Sequence, residues 1–169
     1  YAEDAHASGV GEDAMTEWDF ETNTREYSKK NAYWLGRIAQ LSYEPPEQTR
    51  TKLAGLGLNE FEFFEQRETQ ALIAGNDGMI VLAFRGTEPD KIRDWMTDLD
   101  IALVGGPGGM VHEGFLNGLS QVWREVWASI AANRGRRALW ITGHSLGAAL
   151  AMLATARLRL EKDQPVNGL

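Results

Sequence analysis

The stretch that decides the fold is Ala138-Leu139-Trp140-Ile141-Thr142-Gly143-His144-Ser145-Leu146-Gly147-Ala148-Ala149. It begins with a short apolar run of residues that favour β-strands. It ends with small residues, which are typical of the start of a helix that packs closely against a sheet. The pattern predicts a buried strand, a tight turn and a helix from about Ser145 to Glu161.

The turn itself contains the pattern Gly143-x-Ser145-x-Gly147. Between a strand and a helix, this pattern is typical of the nucleophile elbow of α/β-hydrolases, where strained backbone exposes a serine hydroxyl above the sheet. The two glycines remove β-carbons that would clash with the neighbouring chain. The N-terminal end of the helix favours the negative charge that develops during acyl transfer. The motif alone is a weak signal, because an ordinary junction between a strand and a helix can contain it. The strand before it, the helix after it and the small residues Ala148 and Ala149 together favour the elbow.

Length and composition narrow the class of protein. The chain has 169 residues, enough for one domain with a core, and no apolar run approaches the length of a membrane span. A formal net charge of −7 argues against a nucleic-acid partner and against anchoring by anionic lipid, although not against contact with a neutral oily interface. The absence of cysteine excludes disulfide bonds, thiolate metal sites and a cysteine nucleophile.

The chain divides into two parts. The composition of residues 1–23 predicts a loosely held acidic arm. We expect Trp18 and Phe20 to attach the end of this arm to the domain. Its acidic residues and His6 match no spacing of metal ligands, so no metal site is predicted. Residues 24–169 predict an α/β domain.

Within the domain, a helical pattern starts near Thr24 and ends before the prolines at 45 and 46. Thr49–Leu58 predicts a short connection with room for one helical turn, which its glycines break. Three strands are then expected, at Phe61–Phe64, Thr69–Ala74 and Met79–Phe84. The third is apolar throughout, as a central strand buried on both faces should be, and hairpin strands that precede it indicate a mixed sheet.

Further along, Gly105–Gly109 predicts a flexible loop, and a long amphipathic helix is expected from about Phe115 to Asn133. Three arginines follow that helix: Arg134, Arg136 and Arg137. Positive side chains are favourable at the negative C-terminal end of a helix, so we interpret them as helix-end charges and not as an anion-binding site.

A second candidate site element follows the central strand, at Phe84-Arg85-Gly86-Thr87. Thr87 offers an N–H and a hydroxyl just beyond the carboxyl end of the strand, where ligand sites of open α/β sheets gather. A plain turn in which Thr87 caps the next helix is an alternative, and both roles can coexist.

The segment Pro89–Thr97 predicts a short amphipathic helix with Ile92, Trp95 and Met96 on one face. It is either a lid over the site or a surface helix that covers part of the core.

Three motifs together resemble the class 3 lipase family, which has the fold of the fungal extracellular triacylglycerol lipases. They are Phe84-Arg85-Gly86-Thr87, Val111-His112-Glu113-Gly114-Phe115 and Gly143-His144-Ser145-Leu146-Gly147-Ala148-Ala149-Leu150, in the order and approximate spacing of the family. The resemblance implies an α/β-hydrolase with a mostly parallel central sheet and helices on both faces. It extends from about residue 25 to the end of the chain, and it implies that residues 24–169 are the N-terminal part of an α/β-hydrolase domain, which here ends after the nucleophile helix.

The resemblance also implies a role for individual residues. Ser145 matches the nucleophile, and the N–H groups of Thr87 and Leu146 match the oxyanion hole. Pro89–Thr97 matches the lid of the family, with a tryptophan at Trp95, and His112 matches a structural position. No cofactor is implied, and among compartments the resemblance alone favours secretion.

The chain departs from the pattern after the nucleophile. In α/β-hydrolases a carboxylate and then a histidine follow the serine along the chain. After Ser145 the only acidic residues are Glu161 and Asp163, and no histidine follows it. We therefore expect the triad acid and base in sequence beyond this chain, as a following segment or a complementing chain. We also expect the 169 residues alone to be neither well folded nor active.

The elbow motif predicts hydrolysis of carboxylic esters, and the resemblance implies that the esters are lipids of the acylglycerol type or other apolar acyl substrates, met by transient contact at a lipid–water interface. Two alternatives remain open. One is a non-catalytic hydrolase domain that binds a lipid or a protein partner, and the other is acyl transfer to an alcohol other than water.

Overall fold

The computed structural model describes residues 17–87 and 102–169. The helices are α1 (Lys29–Leu41), α2 (Pro46–Gly55), α3 (Glu113–Asn133) and α4 (Leu146–Glu161). The strands are β1 (Glu60–Gln66), β2 (Thr69–Gly75), β3 (Met79–Phe84), β4 (Leu103–Gly106), β5 (Gly109–His112) and β6 (Ala138–Gly143). Among these residues, no helix combines the length and the apolar character that crossing a bilayer requires.

The central sheet has the strand order β1-β2-β3-β6. β1 pairs antiparallel with β2, β2 pairs antiparallel with β3, and β3 pairs parallel with β6. This confirms the mixed sheet. The chain after α4 also returns to the sheet, where Gly168 forms a parallel bridge with Trp140 and the N–H of Asn167 donates to the carbonyl of Leu139 at 2.8 Å.

Helices cover both faces of this sheet, and β3 lies at its centre with every residue buried. Its side chains alternate between two apolar clusters. Ile80, Leu82 and Phe84 pack with α3 and α4 on one face, and Met79, Val81 and Ala83 pack with α1 and α2 on the other. The continuous apolar run in the sequence is therefore explained by burial on both sides of the strand.

Aromatic side chains attach the start of the described chain to the domain. Phe20 is buried, stacks on Trp18 at 5.1 Å and meets the ring of Trp140 edge-on at 5.0 Å. The indole N–H of Trp34 donates to the carboxylate of Asp19 at 2.8 Å, and this hydrogen bond lowers the pKa of Asp19. The expected attachment through Trp18 and Phe20 is confirmed, whereas the domain boundary near residue 23 stays a prediction.

The prediction that Thr49–Leu58 is a short connection, with room for only one helical turn, was wrong. A helix of 10 residues, α2, occupies Pro46–Gly55, and the first helix begins at Lys29 rather than near Thr24. Proline is compatible with the first turn of a helix, because the N–H that it lacks has no intrahelical acceptor there. The glycines that suggested a break instead lie at the end of α2 and just beyond it.

The prediction of a flexible loop at Gly105–Gly109 was also wrong. These residues belong to a two-stranded hairpin in which β4 pairs with β5, with Pro107 and Gly108 at the turn. Gly108 has a φ of +78°, a conformation that glycine adopts without steric cost. The glycines therefore form a tight turn rather than a long loop.

The arginines after α3 lie at the helix end as expected, and one of them has a further structural role. Arg134 is the C-cap of α3 and is buried. Its guanidinium donates to the side chain of Gln164 at 3.1 Å and to the carbonyl of Pro165, and burial lowers the pKa of Arg134. Arg134 thus ties the end of α3 to the chain that follows α4.

Candidate active site

Ser145 lies between the last residue of β6 and the first residue of α4. Its backbone has φ +56° and ψ −124°, a combination that costs a non-glycine residue free energy. The side chain is half-buried. The strained strand-to-helix turn expected from the sequence is therefore present, with the serine at its apex.

The glycines on either side of Ser145 lie in close contact with backbone. A β-carbon on Gly143 would collide with the carbonyl group of Gly147, and a β-carbon on Gly147 would collide with the carbonyl group of Phe84. Only glycine fits at both positions without movement of the backbone. These contacts place the elbow directly against the end of β3.

The loop that follows β3 lies beside the elbow. Phe84 pairs with Gly143 in the parallel ladder, so β3 and β6 end level with each other. Beyond these ends, a β-carbon on Gly86 would collide with the carbonyl of His144 and with the hydroxyl of Tyr43. Thr87, the next residue, is half-buried at this same edge of the sheet.

Two backbone donors at this edge have no partner within the part of the chain that the structure describes. In the elbow, the N–H of Gly147 donates to the carbonyl of His144 at 2.9 Å, and that of Ala148 donates to the carbonyl of Ser145 at 3.0 Å. Within residues 17–87 and 102–169, no acceptor takes the N–H of Leu146 or that of Thr87. Unpaired N–H groups at the start of a helix can bind an anion.

The two histidines that the structure describes have other contacts. Nδ1 of His112 accepts the N–H of Gly114 at 3.1 Å and thereby caps α3, which agrees with a structural role. Nδ1 of His144 lies 3.1 Å from the hydroxyl of Tyr43. The predicted lid residues Ile92, Trp95 and Met96 lie outside the described residues, as does His6.

Sequence reasoning missed Tyr43 as a residue of this region. It follows α1, and its hydroxyl lies between the elbow and the loop after β3. The sequence marks the end of a helix at Ser42–Pro46, but it carries no periodic signal that links position 43 to position 144. Among the described residues, no group of three or more His, Cys, Asp or Glu side chains could hold a metal ion.

Comparison with known proteins gives the family. The model of the family described as lipase (class 3) matches residues 81–167, which is more than half of the chain. The chain belongs to the class 3 lipase family. The match contains both the loop after β3 and the elbow, so the two elements that meet at the sheet edge lie within the matched region.

Two curated relatives illustrate the similarity of this class 3 lipase chain. A triacylglycerol lipase of Ricinus communis is 29% identical in an alignment that covers 65% of this chain and 30% of that protein. A lipase of Rhizomucor miehei is 34% identical in an alignment that covers 54% of this chain and 27% of that protein. The chain thus matches less than a third of the length of either relative.

Solved structures give the fold. A Rhizomucor miehei lipase in a propeptide complex has a TM-score of 0.61 at 24% identity, with 91% of this chain and 57% of that chain covered. A triacylglycerol lipase whose catalytic centre is formed by a serine protease triad has a TM-score of 0.56 at 25% identity, with 80% and 58% covered. The α/β-hydrolase fold is therefore confirmed, and the chain spans about half of these lipases.

Proposed function

We propose that this chain supplies the nucleophile and the oxyanion hole of a serine-dependent hydrolase that cleaves carboxylic esters of acylglycerol-type lipids. The observation that carries the proposal is the geometry of Ser145. A residue with strained backbone stands between a buried strand and a helix, flanked by glycines that admit no β-carbon. The N–H groups of Thr87 and Leu146, which no acceptor among the described residues takes, belong to the two segments that meet at the same sheet edge.

The proposed chemistry is acyl transfer through a covalent intermediate. The hydroxyl oxygen of Ser145 attacks the ester carbonyl carbon, and the hydroxyl proton passes to a general base. The N–H groups of Thr87 and Leu146 stabilise the negative oxygen that forms. Collapse of the tetrahedral species breaks the bond to the alcohol, which takes the proton from the base and leaves an acyl-serine. Water then attacks the acyl-serine as the base takes its proton. Collapse breaks the bond between the acyl carbon and the serine oxygen, which regains a proton from the base, and the free acid leaves.

The general base and its carboxylate partner are expected outside the described residues. His112 and His144 have the cap and the tyrosine contact described above, so neither is assigned as the base. The matched region covers about half of the solved lipase chains. We therefore propose that a further segment, or a complementing chain, completes the triad.

The lipid nature of the substrate is supported by the relatives. Their names specify a triacylglycerol lipase in Ricinus communis and a secreted mono- and diacylglycerol lipase in Fusarium solani. The choice among acylglycerols stays open in this proposal. The negative charge of the chain is compatible with a neutral ester substrate.

Labelling with a fluorophosphonate tests the proposal, because this probe phosphonylates an activated serine. The natural full-length protein should be labelled, and Ser145→Ala should abolish the label. Ser120→Ala is a matched control, since Ser120 is an exposed serine on α3 whose hydroxyl donates to the carbonyl of Leu116. Labelling that survives Ser145→Ala would refute the assignment. A natural protein that never labels would favour a binding module.

A further inference from the structure

Tyr43 joins the two segments that form the proposed site. Its hydroxyl donates to the carbonyl of Thr87 at 3.5 Å and lies 3.1 Å from Nδ1 of His144. The guanidinium carbon of Arg85 lies 5.5 Å from the centre of the Tyr43 ring, within the range of a cation–π contact. The Tyr43 side chain therefore contacts both His144, the residue before the elbow serine, and the loop that carries the proposed oxyanion donor Thr87.

The directions of these hydrogen bonds are mutually consistent. A tyrosine hydroxyl has one proton to donate and can also accept a hydrogen bond. If Nδ1 of His144 carries its proton, it donates to Tyr43, which in turn donates to Thr87. The result is a continuous chain of hydrogen bonds from the elbow to the loop after β3.

The backbone that carries Tyr43 is fixed from both sides. The N–H of Tyr43 donates to the carbonyl of Gln40 in the last turn of α1 at 3.1 Å. The hydroxyl of Thr49 on α2, which is buried, donates to the carbonyl of Leu41 at 2.9 Å. In addition, the hydroxyl of Thr142 near the end of β6 donates to the carbonyl of Leu35 on α1 at 3.1 Å. Tyr43 thus extends from a rigid junction of two helices and not from a free loop.

The close approach at Gly86 shows how tightly this junction is built. A β-carbon there would collide both with the hydroxyl of Tyr43 and with the carbonyl of His144. The tyrosine hydroxyl, the elbow and the loop therefore meet at one point, where no side chain separates them.

We propose that Tyr43 is a positioning residue of this site, whose hydroxyl holds the loop that carries Thr87 at a fixed distance from the elbow. This inference rests on the proposed function. The two N–H donors of the oxyanion hole come from segments that are far apart in sequence, so their separation depends on contacts between those segments. An oxyanion hole stabilises charge through donors that are already in place, and a small displacement weakens it.

The test compares Tyr43→Phe with the unchanged natural full-length protein on a soluble short-chain ester. Tyr43→Phe keeps the ring beneath Arg85 and removes only the hydroxyl. We expect kcat to fall by about tenfold or more, less than the loss on removal of a whole donor, with KM little changed. Binding of a boronic acid, which forms a tetrahedral adduct with the serine, should weaken in proportion, while the Tm changes little.

Tyr33→Phe is the matched control. Tyr33 is a partly exposed tyrosine on α1, the same helix, and its ring meets Trp34 at 5.2 Å. It should change neither kcat nor boronic acid binding. A purely structural role for Tyr43 would lower the Tm and leave kcat per folded molecule unchanged, and that result would overturn the proposal.

A double variant tests the chain of hydrogen bonds. His144→Ala removes the other end of it, so Tyr43→Phe combined with His144→Ala should lose no more kcat than the more damaged single variant. If the fold losses in kcat of the two single variants multiply in the double variant, the two side chains do not act through one chain of hydrogen bonds. A natural protein that neither reacts with a fluorophosphonate nor cleaves the ester would refute the proposed function and this role with it. Reaction that Tyr43→Phe leaves unchanged would refute this role alone.

Discussion

The carbonyl group of Phe84 occupies the space that a side chain on Gly147 would fill. This contact joins the end of the central strand to the first turn of α4. Because Phe84 also pairs with Gly143, the two parallel strands end level, and the loop after β3 emerges beside the elbow. Close backbone packing therefore brings the two segments of the proposed oxyanion hole to one edge of the sheet.

Gly147→Ala should disrupt this arrangement. The new methyl group must displace the backbone of β3 or of α4, and such overpacking costs about 1–3 kcal/mol. We expect a lower free energy of unfolding, measured by chemical denaturation, together with a loss of fluorophosphonate labelling. Unchanged fluorophosphonate labelling would show that Ser145 keeps its reactive geometry even when the elbow is displaced from the end of β3.

Gly36→Ala is the control for that substitution. Gly36 lies within α1, is exposed, and has no atom within 4 Å of the position of an added β-carbon. Alanine favours helix over glycine, so this variant should gain about 0.5–1 kcal/mol of stability with activity retained.

Ser145→Gly should stabilise the protein while it abolishes activity. The φ of +56° at this position is unfavourable for serine and natural for glycine. We expect Ser145→Gly to be more stable than Ser145→Ala by about 1 kcal/mol, since alanine keeps the β-carbon that causes the strain. Denaturation of the two inactive variants measures the difference directly. Equal stabilities would mean that the turn stores no strain.

The parts of the site that lie within one continuous stretch could be predicted from the sequence. The strand, the turn and the helix around Ser145 follow from local patterns, because glycine spacing and apolar periodicity reflect contacts made within a few residues. The central strand Met79–Phe84 was equally visible, since burial on both faces requires an uninterrupted apolar run.

The parts that depend on distant contacts could not be predicted. Tyr43 meets His144 across 101 positions of sequence, and no local pattern encodes such a meeting. The helix Pro46–Gly55 was missed because its prolines and glycines signal breaks, although here they lie at its two ends. The glycines at 105–109 were misread for a similar reason, since a tight hairpin and a loose loop share the same residues.

The hydroxyl of Thr87 should contribute to catalysis beside its backbone N–H. Thr87→Val keeps the shape of the side chain and removes one donor, and loss of an oxyanion donor typically lowers kcat about 100-fold. Thr87→Ser keeps the hydroxyl and should retain most of the activity. Steady-state kinetics on a soluble ester distinguishes the two. Equal activity of Thr87→Val and the natural protein would limit the role of this residue to its N–H.

Asp19 should make the stability depend on pH in the acid range. The hydrogen bond from Trp34 lowers the pKa of Asp19, and Lys30 lies 3.3 Å away as an ion pair. A carboxyl group with a lowered folded-state pKa stabilises the fold above its unfolded pKa of about 3.9, and this contribution is lost as the pH falls through the folded value. The Tm of Asp19→Asn should therefore lie below that of the natural protein at pH 7, and the gap should close below about pH 4.

Glu26→Gln provides the comparison for Asp19, because Glu26 is an exposed carboxylate on the same stretch of chain. Its Tm should follow that of the natural protein across the same pH range. If the difference in Tm between Asp19→Asn and the natural protein stays constant from pH 7 to pH 3, the charge of the Asp19 carboxylate contributes nothing to stability.

The lid prediction concerns Ile92, Trp95 and Met96, whose apolar side chains share one face of the expected helix. If this face covers the site in water and turns toward lipid at an interface, activity of the natural full-length protein should rise when an emulsion forms. Replacing all three residues by serine should reduce that rise, because the apolar face would no longer favour the lipid surface. Activity on a soluble ester, measured in parallel, serves as the control. An interfacial response that survives the triple substitution would leave Pro89–Thr97 as a surface helix with no gating role.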